Sequence, residues 1–285
     1  MDTIEVRIDE SLRLAGALLA ASEWPDLEQK AKPYKPHRVA EAARKYFAPQ
    51  RAHPAVRGAR ILVGQGEGLR SFFGHVFNAE EASEFSAHIA DFKSKADPEP
   101  FWIETQSDWH EAESQARQVL EKSGLWQFLR DLFGPAPRNL VFVPNLLFPG
   151  QQTVTVSSAN DLVVYAPPPK AWGTSPPWGY AERPDEVLAT ASEAFARFLF
   201  ANKLPTDQPS FKSLEETFGL AAAVLFLREA EGEAASEQLM MMEKKTRRLG
   251  SLPAAVSALE LILNDRRHGK YGDLTDYLPL MVRPV

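Results

Sequence analysis

The stretch TASEAFARFLFANK, residues 190–203, decides how the second half of this chain folds. Ala191, Ala194, Phe195, Phe198 and Leu199 recur at spacings of three and four, which aligns them on one face of an α-helix. Just upstream, Pro184 is followed by Asp185 and Glu186. Proline suits the first helical turn, where its missing N–H costs nothing, and acids suit the positive end of the helix dipole. The stretch holds a single carboxylate, Glu193.

Working outward, a second apolar helix follows in SLEETFGLAAAVLFLREAEG (213–232), where Ser213 and Glu216 have the spacing of a capping box. Further helices are expected near 233–249 and 253–267. On the other side lies PPPKAWGTSPPWGYAERP (167–184), too rich in proline, glycine and aromatics for a regular element. Before it, NLVFVPNLLF (139–148) is strand-like, and QTVTVSSANDLVVYAP (152–167) places two β-rich runs around a polar turn, a hairpin pattern. GPAPRN (134–139) breaks the chain ahead of these strands. The region before it is helical in pattern: 8–24 with Asp9 as a helix cap, 39–50 stopped by Pro49, a segment breaking near Asn78, then 79–95, 107–124 and 125–134. The order predicts an α+β fold, predominantly helical. A helical region over 1–136 is followed by a small sheet and helices over 137–285.

Composition bounds the chemistry. At 44% hydrophobic and 25% charged, with 17 Phe and 6 Trp, the 285 residues can build a sizeable core. The net charge of −6 argues against a general nucleic-acid binder. With no cysteine, the chain has no disulfides, thiolate metal sites, iron–sulfur clusters or cysteine nucleophile. The acidic start MDTIEVRIDESLRL does not read as a signal peptide, and apolar runs such as LAAAVLFL (220–227) fall short of the roughly 20 residues a membrane span needs. A soluble cytoplasmic protein is the expectation.

The position of Glu193 raises a chemical question. A zinc helix carries imidazoles at i and i+4, stacked on one face, with glutamate at i+1 beside the metal-bound water as general base. Around Glu193 those ligand positions hold Ser192 and Ala196. Serine can at most hydrogen-bond a water, and alanine offers no lone pair. Glu216 lies 23 residues after Glu193, at the start of the next apolar helix.

Taken together, the β-rich segments, Glu193 and Glu216 resemble the core of the zincin metallopeptidases of the glutamate-ligand type, with both histidines lost. The leading helices, HPAV (53–56) and the TASEAFARF helix also resemble an uncharacterised bacterial family with an intact H-E-x-x-H at this place. The resemblance implies a peptidase-like scaffold in which Ser192, Glu193, Ala196 and Glu216 form a vestigial site. It implies no catalytic residue, no metal and no cofactor. A binding or regulatory role for a peptide or protein partner at the former substrate cleft follows, with no nucleic-acid or membrane partner. Two other readings stand beside it: a hydrolase taking ligands from other segments, and a structural or interaction protein in which Glu193 is an ordinary solvated glutamate.

Other motifs carry less. His110-Glu111 has Ser114 at the fourth position, and GQGEG (64–68) lacks the rest of a phosphate loop. None of His37, His53, His75, His88, His110 and His268 has a histidine three or four residues away. His53 before Pro54 is expected to end a helix. Arg266, Arg267, His268 and Lys270 suit a helix C-terminus. KKTRR (244–248) reads as a solvated helix face, LMMME (239–243) should bury at least one methionine, and no G-x-S-x-G elbow occurs.

Overall fold

Three-and-four spacing becomes helix along most of the chain, and the β-branched runs become one small sheet. The computed structural model describes residues 3–64, 68–78, 83–136, 138–169, 179–202 and 211–270. The fold is α+β and predominantly helical. The chain begins with β1 (Glu5–Val6), α1 (Glu10–Ala21), α2 (Trp24–Ala31) and α3 (Arg38–Phe47). Next come α4 (Pro54–Gly64), α5 (Gly68–Phe77), α6 (Glu84–Ala96), α7 (Glu99–Glu104), α8 (Gln106–Glu121) and α9 (Leu125–Phe133). The strands β2 (Asn139–Pro144), β3 (Val154–Ser157) and β4 (Asp161–Ala166) follow. The helices α10 (Pro184–Ala201), α11 (Phe211–Ala230), α12 (Glu233–Thr246) and α13 (Leu252–Arg267), with a short 3-10 helix at Ala48–Gln50 after α3, complete the described elements.

The sheet order is β1-β2-β4-β3. β1 runs parallel to β2, with Glu5 opposite Val141, and β3 and β4 form the expected antiparallel hairpin, with Val156 opposite Val163. Its turn is closed by Ser158, whose Oγ accepts from the Asp161 amide at 3.1 Å. In β2, Leu140, Val141, Phe142 and Val143 are all buried rather than alternating, as in a strand covered on both faces. Asp9 caps α1 as the sequence predicts, accepting from the Leu12 amide at 3.1 Å.

Several elements escape the sequence pattern. β1 is only two residues long, and α2, α4 and α7 are short helices introduced or followed by prolines. His53 opens a helix instead of ending one: its Nδ1 accepts from the Ala55 amide at 3.2 Å, and Pro54 takes the first position of α4.

Contacts group the chain into two compact units that interleave in sequence. One comprises the described residues of Met1–Ile4, Val119–Leu140 and Pro184–Val285; the other comprises those of Glu5–Gln118 and Val141–Arg183. In the first, α10 packs on α9 and α11, and α11 also holds α12 and α13. In the second, α1 packs on α3, α4 and α5, while α5 also covers β3. Among the described residues, no helix is long and apolar enough to cross a membrane.

Candidate functional site

The helix pair α10–α11 carries all four residues singled out from the sequence. Pro184 stands at the first position of α10 with Asp185 and Glu186 in the first turn, as expected. Ala191, Phe195, Phe198 and Leu199 are buried, and Ala194 is half-buried. The two helices approach closely at Gly219. A Cβ there would lie 2.9 Å from both the Glu193 carbonyl oxygen and Arg197 Cβ. One residue earlier, Phe218 stacks on Phe200, with ring centroids 3.7 Å apart.

Ser192 and Ala196 occupy the positions where a zinc helix has histidines, and both are 0% exposed. The Ser192 hydroxyl donates to the Leu188 carbonyl at 2.6 Å and reaches the Ala189 carbonyl at 3.1 Å. That leaves it bound to its own helix and closed off from solvent. An imidazole is several atoms larger than either side chain and would have to displace packed neighbours.

Glu193 and Glu216 do come together, on a cation supplied by the protein. Arg247, which follows α12, donates to Glu193 through Nη1 at 2.5 Å and Nη2 at 3.1 Å. The same Nη1 lies 3.5 Å from Glu216, and Nε lies 2.6 Å from Glu243. Burial works to lower the Arg247 pKa, but the hydrogen bonds and charge of Glu193, with Glu243 and Glu216, more than reverse this and raise it. The guanidinium is permanently charged, and its fork suits a carboxylate with two oxygens. Through these three carboxylates it joins α10, α11 and the end of α12.

Two expectations are corrected here. Ser213 does not cap α11, because the helix begins at Phe211, and Glu216 lies well inside it, directed at Arg247. KKTRR is not wholly a solvated face, since its Arg247 is drawn into three acids. Sequence spacing offered no signal for this, because Arg247 meets Glu193 from 54 residues away.

The remaining candidates divide between ion pairs within the protein and exposed positions. Arg267 takes both oxygens of Glu229, at 2.7 and 3.0 Å, and Asp131 at 2.9 Å, so protein carboxylates already occupy this cation. His53 Nε2 lies 2.9 Å from Asp91 Oδ2, while His110 and Glu111 are exposed. No methionine of Met240, Met241 and Met242 is buried, contrary to expectation, and Met241 is 66% exposed. Most of AWGTSPPWGY and residues 65–67 of GQGEG lie outside the described residues. Tyr180, at the end of the aromatic loop, is buried against Phe142 and donates to the Ala166 carbonyl at 2.8 Å. Among the described residues, no three His, Asp or Glu side chains are grouped to share a metal ion. No family model, curated protein or solved structure matches the chain.

Proposed function

We propose that this protein works by binding a peptide or protein partner, on a zinc-peptidase-like scaffold whose α10 helix has no metal chemistry. The observation that carries this reading is the convergence of Glu193 and Glu216 on Arg247. The acid that a peptidase would use as general base is held by a guanidinium. The would-be ligand positions, Ser192 and Ala196, are closed into the core. Glu193 then serves packing, and α10 becomes a strut rather than a catalytic element. The cysteine-free composition suits a reducing cytoplasmic setting.

Metal analysis of protein purified without added zinc, together with a peptide-hydrolysis assay, tests this. The expected result is substoichiometric zinc and no hydrolysis above background, unchanged by Glu193→Gln. One tightly held zinc per chain, with hydrolysis abolished by Glu193→Gln, would overturn the proposal.

A further inference from the structure

The end of α2, the loop after it and most of α3 are locally basic in a chain whose net charge is −6, although the start of α2 also carries Asp26 and Glu28. Between Gln29 and Lys45 the chain carries Lys30, Lys32, Lys35, Arg38, Arg44 and Lys45 against one acid, Glu41. Arg38 is paired with Asp108, and Arg44 with Asp26. The four lysines are exposed and make no ion pair among the described residues. Like charges gathered in this way raise the local positive potential, which an anionic partner relieves.

A cleft of about 520 Å³ opens within this patch, with Pro36, Glu41, Arg44, Lys45, Ala48 and Phe148 among its walls, Glu41 setting one exposed carboxylate beside the two cations. Pro36 and Phe148 are buried and supply its apolar base. That base is fixed by polar contacts from α2. The Glu28 carboxylate, 5% exposed, accepts from the Tyr34 hydroxyl at 2.6 Å and from the amides of Gly150 and Gln151 at 3.0 and 2.9 Å. A Cβ on Gly150 would fall 2.3 Å from the Tyr34 oxygen, so a larger residue there would have to displace the ring that Glu28 holds. Asn145 braces the same loop, donating to the Pro149 carbonyl at 2.7 Å and accepting from the Leu147 amide at 2.8 Å. A cleft built this way needs little ordering when it is filled.

We propose that this cleft and its lysine rim dock an acidic segment of a protein partner. One apolar side chain of that segment sits over Phe148 and Pro36, and its flanking carboxylates meet Lys45, Lys35 and their neighbours. The cleft has the size of a pocket for one large side chain and adjoining backbone. A nucleic acid fits less well, because the one Tyr, Phe or Trp between Gln29 and Lys45 is Tyr34, half-buried with its hydroxyl committed to Glu28. Single-stranded nucleic acids call for exposed rings on which bases stack. The inference stands on α2, α3 and the 145–151 loop, and it does not depend on how α10 is read.

Panning a random peptide library displayed on phage against the full chain, and against a variant carrying Lys35→Glu and Lys45→Glu, tests the proposal. The unaltered chain should enrich peptides with Asp or Glu flanking an apolar residue, and the charge-reversed variant should not. By fluorescence polarisation, a selected peptide should bind that variant about tenfold or more weakly, with a steep salt dependence. Ala48→Trp changes no charge but crowds the cleft, and it should weaken binding by a comparable factor. Circular dichroism and thermal melting establish that each variant folds. Four results would overturn the proposal: no acidic enrichment over the charge-reversed variant, equal binding by Ala48→Trp, tighter binding of a single-stranded oligonucleotide than of the peptide, or self-association abolished by the charge reversal. The third would make the patch a nucleic-acid site and the fourth a contact between copies.

Discussion

Arg247 carries more of the local architecture than its place in a basic run indicates. Its guanidinium is 30% exposed in the side chain and serves Glu193, Glu216 and Glu243 at once. Arg247→Met would leave three acids facing one another. Partial solvent screening keeps the cost below that of breaking a fully buried pair, at about 1–2 kcal/mol. Urea unfolding should show that loss, and Glu193→Gln in the same chain should recover part of it. An unchanged midpoint would remove Arg247 from the account. His37 offers a test by pH. Its Nδ1 accepts from the Val39 amide at 3.2 Å to cap α3. Burial lowers its pKa below the ordinary 6.5, with Asp108 opposing and Arg38 assisting. The unfolded chain therefore takes up this proton first as the solution is acidified. The stability contributed is complete above the unfolded value and falls as the pH drops below it. Thermal melts across that range should decline less steeply in His37→Asn, which keeps an acceptor at the cap but does not titrate.

At the scale of elements, the α10–α11 pair depends on close approach. Gly219 lets α11 approach the Glu193 carbonyl and Arg197 with no intervening side chain. Because one of the obstructing atoms is backbone oxygen, Gly219→Ala cannot be absorbed by a rotamer change. It should destabilise by about 1–3 kcal/mol, the usual range for overpacking, despite alanine's better helix propensity. A higher denaturation midpoint in Gly219→Ala would show that the pair has slack. The same closeness explains why local spacing misled at Ser213 and Glu216. Their spacing matches a capping box, but the helix extends back to Phe211, and the carboxylate's partner comes from a different helix terminus.

For the whole molecule, the interleaving of the two units matters. The segment Val119–Leu140 belongs with Pro184–Val285, whereas Val141–Arg183 belongs with Glu5–Gln118. A cut after residue 136 would remove α9 from α10 and α13, and β2 from its partner β1. The fragment 1–136 produced alone should therefore show no cooperative thermal transition by circular dichroism. A sharp transition with native-like helicity would mean that the early helices fold without the returning strands. Sequence order suggested a division near 136 because helical patterning stops there. A change of pattern along the chain marks a change of element type, and contacts between distant segments decide which elements belong together.

Local spacing was enough to specify the helical stripe of α10, the proline at its start, the Asp9 cap and the β3–β4 hairpin. Each depends on residues a few positions apart, and the backbone periods of 3.6 and 2 write them directly into the chain. The same spacing showed that Ser192 and Ala196 stand where a zinc helix needs imidazoles. It could not show that both side chains would be sealed in the core, or that Glu193 and Glu216 would meet at Arg247. Nor could it show that Glu28 would gather donors from 122 and 123 residues further on. Burial and long-range pairing depend on which surfaces are brought together, and that is a property of packing, with no period in the sequence to reveal it.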